Sequence, residues 1–320
     1  MNNSVNTIVN NNRFNIPILF LIFNRMNTTR QVFEKVRKVA PSKLYIASDG
    51  PRDVREGENE KVNAVRDYVL KSIGWDCEVK TLFREKNLGC GKAVSQAISW
   101  FFENEKMGII LEDDCLPSES FFPYCKELLE KYKDDENVYN IAGSNPLICT
   151  EIPYSYYFSR IPHIWGWATW KRAWEKYSFN IIDLNDFISK KKINAIFNRK
   201  VDKNYWLDLF KKMEKHEIDT WDYQWTYAVF KNKGICINPA KNLITNIGFG
   251  KDATHTTVDD SKLKEQQRFE IDKIIHPNRI ELNTRIIIMI NKMVFGINAL
   301  WYYKTKLRNF LFRCYQVVTR

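Results

Sequence analysis

Short apolar runs alternate with segments of helical periodicity over the first 112 residues of the chain. Runs such as 16–23 are apolar almost without interruption, which is typical of strands that are covered on both faces. Four strand-then-helix units in succession predict an α/β, Rossmann-like fold with a mostly parallel sheet flanked by helices. The predicted strands are 16–23, 43–48, 77–83 and 107–111, and the predicted helices are 28–39, 58–73, 92–104 and 118–132.

Beyond residue 132 the pattern is less regular. It predicts strands at 138–142 and 234–237, and helical segments near 184–215 and 221–232. The stretch 164–170 is rich in tryptophan. No internal repeat of solenoid length is present.

Polar side chains follow the predicted strands at the point where each strand ends. Ligands of doubly wound sheets bind at the carboxyl ends of the strands, so these segments form the candidate site. They are Asn24-Arg25, Ser48-Asp49-Gly50, residues 84–91 and Glu112-Asp113-Asp114.

The three adjacent acids Glu112, Asp113 and Asp114 directly follow an apolar strand. Burial of such a cluster is costly unless a cation or hydrogen-bond donors compensate it. Carboxylate ligands favour Mn²⁺ or Mg²⁺ over zinc. A divalent cation would also bridge the phosphates of a nucleotide diphosphate. The alternative interpretation is a solvated acidic turn.

The segment from Asn87 to Lys92 contains two glycines and a lysine, but it lacks the spacing of a Walker A motif. Gly89 permits a turn into a helix whose first amides could face a phosphate or a sugar hydroxyl. A plain connecting loop is an equally good interpretation.

Aromatic residues surround the later candidates. Asp222 lies between Trp221 and Tyr223, where it could be a general base in a partly desolvated pocket or an N-terminal helix cap. The Gly166-Trp167 step could form a sugar platform or belong to the core. His255 stands alone in a polar loop, where a metal or phosphate contact is the less favoured interpretation.

In this order the motifs resemble those of GT-A glycosyltransferases. The first half is similar to family 2-like enzymes, and the Glu-Asp-Asp motif with the later Trp-Asp and Phe-Gly elements resembles the N-acetylglucosaminyltransferase I type. The resemblance covers about 16–256. The motifs that carry it are 16–25, 48–50, 87–89, 112–114, Gly166-Trp167, Trp221-Asp222 and Gly248-Phe249-Gly250.

The resemblance implies an inverting, metal-dependent transfer of a sugar from a nucleotide diphosphate, with UDP as the favoured nucleotide, to a glycan or lipid-linked acceptor in surface polysaccharide synthesis. It implies that Asp114 is the ligand of Mn²⁺ or Mg²⁺ and that Asp222 is the base, with Asp219 as the alternative. Asp49 would hold the nucleobase. The candidate donor-binding residues are Asn24, Arg25, Asp49, Asn87, Gly89, Lys92, Glu112 and Asp113, and the candidate platform is Gly166, Trp167 and Trp221.

Net charge separates the body of the chain from its end. Residues 282–320 contain seven basic residues and no acid, which accounts for most of the net charge of +11. The mildly basic body argues against a nucleic-acid partner. Apolar residues recur at helical spacing after Lys304, as in helices that lie on anionic membrane surfaces. A pair of helices packed on the body is the alternative.

These features predict three regions: a flexible arm at 1–15, a GT-A domain at 16–281 with donor and acceptor halves that meet near residue 117, and a basic amphipathic helical tail at 282–320. The absence of a secretion signal and the seven unpatterned cysteines predict a cytoplasmic protein, peripheral on the inner face of the cytoplasmic membrane. The competing functions are a sugar-phosphate nucleotidyltransferase and a non-enzymatic basic membrane-binding protein. The first is disfavoured because no glycine-rich loop follows the first strand, and the second leaves the acidic triplet unexplained.

Overall fold

The computed structural model describes residues 13–249 and 267–298, together with Leu300 and Tyr303. This part of the chain forms a mixed α/β structure with an eight-stranded sheet and a separate two-stranded ribbon. The α/β class with a mostly parallel sheet and flanking helices, predicted from the sequence, is therefore confirmed.

The first half shows the predicted alternation of strands and helices. Its elements are β1 (Ile18–Ile22), α1 (Met26–Val39), β2 (Lys43–Ser48), α2 (Glu58–Lys71), β3 (Glu78–Phe83), α3 (Cys90–Asn104) and β4 (Met107–Glu112). Every residue of β1 is buried, because successive side chains enter apolar cores on opposite faces of the sheet. Leu19 and Leu21 belong to one core, whereas Phe20 and Ile22 belong to the other.

The second half adds further strands and helices. They are β5 (Cys115–Pro117), α4 (Phe121–Lys131), β6 (Val138–Ala142), β7 (Tyr156–Ser159), β8 (Trp167–Trp170), α5 (Lys171–Trp174), α6 (Leu184–Ser189), α7 (Lys200–Glu214), α8 (Asp222–Lys231), β9 (Ile235–Pro239), β10 (Ile244–Asn246) and α9 (Thr284–Met293). Of the strands, β6 to β9 join the same sheet, whereas β5 and β10 form the separate ribbon. The helical segment predicted near 184–215 is thus divided, with a short 3₁₀ turn at Lys192–Ala195 between α6 and α7.

The strand order of the sheet is β3-β2-β1-β4-β8-β6-β9-β7. The first four strands are parallel, whereas β8 runs antiparallel between β4 and β6. Ile22 pairs with Ser48, and Leu21 pairs with Glu112. This register brings the residues that follow β1, β2 and β4 to the same edge of the sheet.

The beginning of the predicted tail packs on the domain. Ile286, Ile287 and Ile290 of α9 are buried, and the side chain of Asn283 accepts a hydrogen bond from the Ile286 N–H at the start of the helix. The packed structure therefore continues past residue 281. The amphipathic pattern after Lys304 and most of the predicted arm lie outside the described residues. Within the described part of the chain, no helix is both long and apolar enough to cross a bilayer.

Candidate active site

A cleft of about 670 Å³ opens at the carboxyl ends of β1, β2 and β4 and extends to the start of α8. Most of the predicted site residues meet there, although they are spread over almost 200 positions of the chain. Those that line the cleft are Arg25, Asp49, Asn87, Gly89, Glu112, Asp113, Asp114, Asp219, Trp221 and Asp222.

Arg25 binds two members of the acidic triplet. Its Nη1 lies 2.9 Å from Asp114 Oδ2, and its Nη2 donates to Asp113 Oδ1. The second oxygen of Asp113 accepts the Phe23 N–H at 3.2 Å. The short connection between β1 and α1 thus turns Arg25 back onto the residues that follow β4. This contact explains how the acids are tolerated beside the core.

The triplet keeps a negative charge despite this ion pair. Three carboxylates face one guanidinium group, so a formal excess of one negative charge remains even when Glu112 is protonated. Burial raises the pKa of Glu112 to about 8, and the neighbouring charges of Asp114 and Asp222 act in the same direction. Burial opposes the charge of Arg25, but Asp113 and Asp114 outweigh it and raise the pKa of Arg25. The site is therefore suited to a cation.

Asp49 organises the turn that precedes α3. Its carboxylate accepts the Leu88 N–H at 3.0 Å and the Gly89 N–H at 3.2 Å. Asn87 completes the turn, because its side-chain amide donates to the Gly50 carbonyl at 2.7 Å. Burial raises the pKa of Asp49, and the backbone N–H groups oppose that shift. The turn predicted from the glycines is therefore held by Asp49 and lies at the cleft.

Asp222 is the first residue of α8. Its Oδ1 accepts the hydroxyl hydrogen of Thr220 and the Tyr223 N–H, the latter at 2.9 Å. The N-cap position belongs to Trp221, so the prediction of Asp222 as the cap is wrong by one residue; Asp222 instead satisfies one N–H of the first turn and lies at the cleft. Asp219, the alternative base, accepts the Gly91 N–H at 3.0 Å and so contacts the start of α3.

The segment after β10 closes over the acidic triplet. The Ile247 N–H donates to the Asp114 carbonyl at 2.8 Å. A Cβ atom added to Gly248 would lie 2.2 Å from Asp114 Oδ2 and 2.7 Å from Arg25 Nη1, so a larger residue fits there only if the ion pair shifts. Phe249 packs edge-on against Trp165, with ring centroids 6.0 Å apart. The Gly-Phe motif thereby contacts the ion pair directly.

Several predicted site residues lie elsewhere. Trp167 is 1% exposed and packs against other core tryptophans, so its ring offers no free face to a sugar. Gly166 is buried against Ile244 and Leu111, which belong to the other of the two cores. Lys92 is exposed and does not line the cleft, and Asn24 donates to Glu58 at 2.9 Å. His255 lies outside the described residues.

The structure also brings residues to the cleft that were not predicted. Arg52, Trp165 and Tyr223 line the cleft without having been predicted, and Arg84, predicted only as part of the segment 84–91, also lines it. Arg52 forms an ion pair with the buried Glu58, which lowers the pKa of Glu58 to about 2. Arg52 follows β2 and Arg84 follows β3, and this position after a strand was the sequence feature that could have identified both as site residues. Nothing in the local sequence distinguishes Trp165 from Trp167.

The carboxylates in the cleft outnumber its cationic groups. Six carboxylates and three guanidinium groups line it, a formal excess of three negative charges that falls to two when Glu112 is protonated. Such a lining repels a diphosphate unless a metal cation enters with it. The carboxylates are Asp49, Glu112, Asp113, Asp114, Asp219 and Asp222, and the guanidinium groups belong to Arg25, Arg52 and Arg84.

Among residues 13–249 and 267–298, no group of three or more His, Cys, Asp or Glu side chains is arranged to hold a metal ion. The carboxylate of Asp114, 13% exposed, still presents hard oxygen atoms at the cleft. Mg²⁺ commonly binds to one or two carboxylates and completes its coordination with water and substrate phosphates. The residues therefore fit a cation that arrives with its substrate, and do not fit a site built from protein ligands alone.

The sequence matches none of the known protein-family models and none of the curated proteins. Similar solved structures include S. aureus TarS residues 1–349, with 9% identity, a TM-score of 0.38 and coverage of 72% of this chain and 59% of that chain. The glycosyltransferase GlyE of Streptococcus pneumoniae TIGR4 has 12% identity, a TM-score of 0.32 and coverage of 69% and 45%. A UDP-glucose pyrophosphorylase in complex with UDP-glucose has 10% identity, a TM-score of 0.36 and coverage of 72% and 93%. Similarity at this level assigns no activity.

Proposed function

We propose that this protein is a divalent-metal-dependent, inverting glycosyltransferase that takes its sugar from a nucleotide diphosphate sugar. The observation that carries the proposal is the meeting, in one cleft, of the Arg25-paired acidic triplet and Asp222. The triplet suits a metal-bound diphosphate, and Asp222 suits the removal of a proton from an acceptor hydroxyl.

On the donor side, Asp114 would hold Mn²⁺ or Mg²⁺, and Arg25 would keep Asp113 and Asp114 in place. The bound metal would neutralise the charge that develops on the departing diphosphate. Glu112 and Asp113 would contact the donor sugar and ribose, and the turn held by Asp49 would lie against the nucleoside. UDP is the nucleotide that we propose first.

On the acceptor side, Asp222 would act as the general base. It would take the proton as the acceptor oxygen forms a bond to the anomeric carbon. The bond from that carbon to the diphosphate breaks, and the nucleotide leaves with the electron pair. Thr220 and the Tyr223 N–H, which both donate to Oδ1, would keep the carboxylate oriented. A single displacement of this kind inverts the anomeric configuration.

The first test is Asp114→Asn, measured by calorimetry with UDP in the presence and absence of Mn²⁺. We expect the metal-dependent part of UDP binding to be lost, because an amide oxygen is a poor substitute for a carboxylate ligand. Asp53→Asn is the matched control, since Asp53 is exposed and does not line the cleft. Unchanged Mn²⁺-dependent binding in a folded Asp114→Asn variant would contradict the donor assignment.

The second test is Asp222→Asn, measured as release of UDP and formation of glycoside. We expect donor binding to persist while transfer falls by about 10²- to 10⁴-fold, the usual contribution of a general base. Full turnover by Asp222→Asn, together with an inactive Asp219→Asn, would assign the base to Asp219 instead.

A nucleotidyltransferase would give different products. It would join a nucleoside triphosphate to a sugar phosphate and release pyrophosphate, whereas the proposed enzyme releases a nucleoside diphosphate. Release of pyrophosphate from UTP and a sugar 1-phosphate, without UDP release from any nucleotide sugar, would replace the proposal with that activity.

We further propose that the enzyme acts on a glycan or lipid-linked acceptor at the inner face of the cytoplasmic membrane. The outer face of α9 exposes Arg285, Met289, Lys292 and Met293, a mixture of basic and apolar side chains. Each basic residue near an anionic leaflet contributes about 1 kcal/mol to binding. The basic segment that follows would add to this attraction.

Sedimentation with anionic vesicles tests the membrane proposal on the full chain. The double change Arg285→Gln with Lys292→Gln removes two charges and is expected to weaken binding by about 30-fold. Lys211→Gln with Lys212→Gln makes the same change on exposed positions of α7 and serves as the control. Equal binding of both double variants would refute a membrane role for α9.

A further inference from the structure

Asp219 connects two parts of the cleft that are far apart in sequence. It lies in the loop before α8, yet its Oδ1 accepts the Gly91 N–H, 128 positions away. A Cβ atom at Gly89 would lie 2.7 Å from Asp219 Oδ2, and one at Gly91 would lie 2.8 Å from Oδ1. Gly89 also has a positive φ of 79°, which favours glycine. Both glycines therefore lie where this carboxylate meets the backbone.

The segment that Asp219 contacts is also held from the donor side of the cleft. The segment 87–91, here called the donor loop, is bound at its other end by Asp49, which accepts the N–H groups of Leu88 and Gly89. The donor loop is thus held between two carboxylates, Asp49 from β2 and Asp219 from the loop before α8. Asp49 and Asp219 both line the cleft.

Asp219 is also linked to the proposed base, through its neighbour Thr220. Thr220 follows Asp219 directly and donates its hydroxyl to Asp222 Oδ1. The Thr220 carbonyl accepts the side-chain amide of Gln224 at 2.9 Å, which fixes it to the first turn of α8. Consecutive contacts therefore lead from Asp49 through the donor loop and Asp219 to Asp222.

We propose that Asp219 is a positioning residue that ties the donor loop to the segment leading into Asp222 at the start of α8, so that donor binding sets the position of the base. This inference rests on the proposed function and assigns Asp219 a role other than proton transfer. A carboxylate that only accepts a backbone N–H can be replaced by an amide oxygen, whereas a general base cannot. The two roles are therefore experimentally separable.

The test compares Asp219→Ala with Asp219→Asn in the full chain. We expect Asp219→Ala to lower kcat by about 10²-fold, the effect of a misplacement of about 1 Å, while the Kd for UDP with Mn²⁺ rises only a few-fold. Asp219→Asn keeps an oxygen for the Gly91 N–H and is expected to recover most of kcat. Glu270→Ala is the matched control, because Glu270 likewise accepts backbone N–H groups from a distant segment, those of Glu119 and Ser120 just before α4, without lining the cleft.

Hydrogen exchange supplies a second readout that does not require turnover. In the wild type, UDP with Mn²⁺ is expected to protect residues 218–223 as well as the donor loop, and Asp219→Ala is expected to lose the former protection. Full kcat in Asp219→Ala, or equal inactivity of the Asn and Ala variants, would overturn the positioning role. A wild type that binds no nucleotide would refute the proposed function itself, and this inference with it.

Discussion

Replacement of Arg25 by methionine tests how the acidic triplet is held. The change keeps an unbranched side chain of similar length but removes the guanidinium group that donates to Asp113 and Asp114. The side chains of Arg25, Asp113 and Asp114 are 20%, 3% and 13% exposed, so water cannot replace the lost contacts fully. Removal of one partner from such a buried ion pair lowers the free energy of unfolding by about 3–5 kcal/mol. Partial exposure favours the lower end of that range.

A loss of about 3 kcal/mol is large beside a total stability of about 5–15 kcal/mol. For a domain of this size it corresponds to a fall in Tm of about 5–10 °C. Urea unfolding followed by the fluorescence of the ten tryptophans measures it directly. Because the triplet would then lack its counter-charge, Mn²⁺ is expected to restore more stability to Arg25→Met than to the wild type.

Arg37→Met is the control, because the ion pair of Arg37 with Glu34 is about half exposed on both sides. Such a surface pair contributes about 0–1 kcal/mol. The double variant Arg25→Met with Asp113→Asn is expected to recover part of the lost stability, since it removes one uncompensated charge. A loss in Arg25→Met no larger than that in Arg37→Met would refute the argument that the triplet depends on Arg25.

Three further outcomes are expected. Burial lowers the pKa of His163 from 6.5 to about 4, so the unfolded chain binds this proton more tightly and stability falls as pH drops from 6.5 to 4. In urea titrations at several pH values, His163→Gln should remove about 2–3 kcal/mol of that fall. Gly248→Ala should weaken UDP binding with Mn²⁺ in calorimetry, because the new Cβ would collide with Asp114, and unchanged affinity would contradict the closure of this segment. Ile290→Ala should cost about 2–5 kcal/mol in thermal unfolding, whereas a matched effect of Met293→Ala would show that α9 does not pack as described.

The sequence alone determined the architecture of the first half. Strands covered on both faces must be apolar throughout, and helices packed beside them must carry apolar residues every three to four positions. The local pattern was therefore enough to find β1 to β4 and α1 to α3. The same logic placed Arg25, Asp49 and the acidic triplet at strand ends, and the parallel register brings these ends together. Each of these features depends on neighbours in the chain or on the general geometry of parallel sheets.

Long-range packing decided which aromatic side chains face the cleft, and the local sequence pattern does not determine this. Trp165 and Trp167 are two residues apart, yet the first faces the cleft and the second is buried among tryptophans, because β8 lies between β4 and β6. No local signal specifies such an antiparallel insertion.

The contact of Asp219 with Gly91 is of the same kind. Two segments 128 positions apart must first be brought together by the sheet before a carboxylate can cap a helix start. The local sequence was thus enough to identify the candidate side chains of the site. The tertiary structure alone decided which of the candidate side chains share the cleft, because burial and contact depend on what the rest of the fold places beside them.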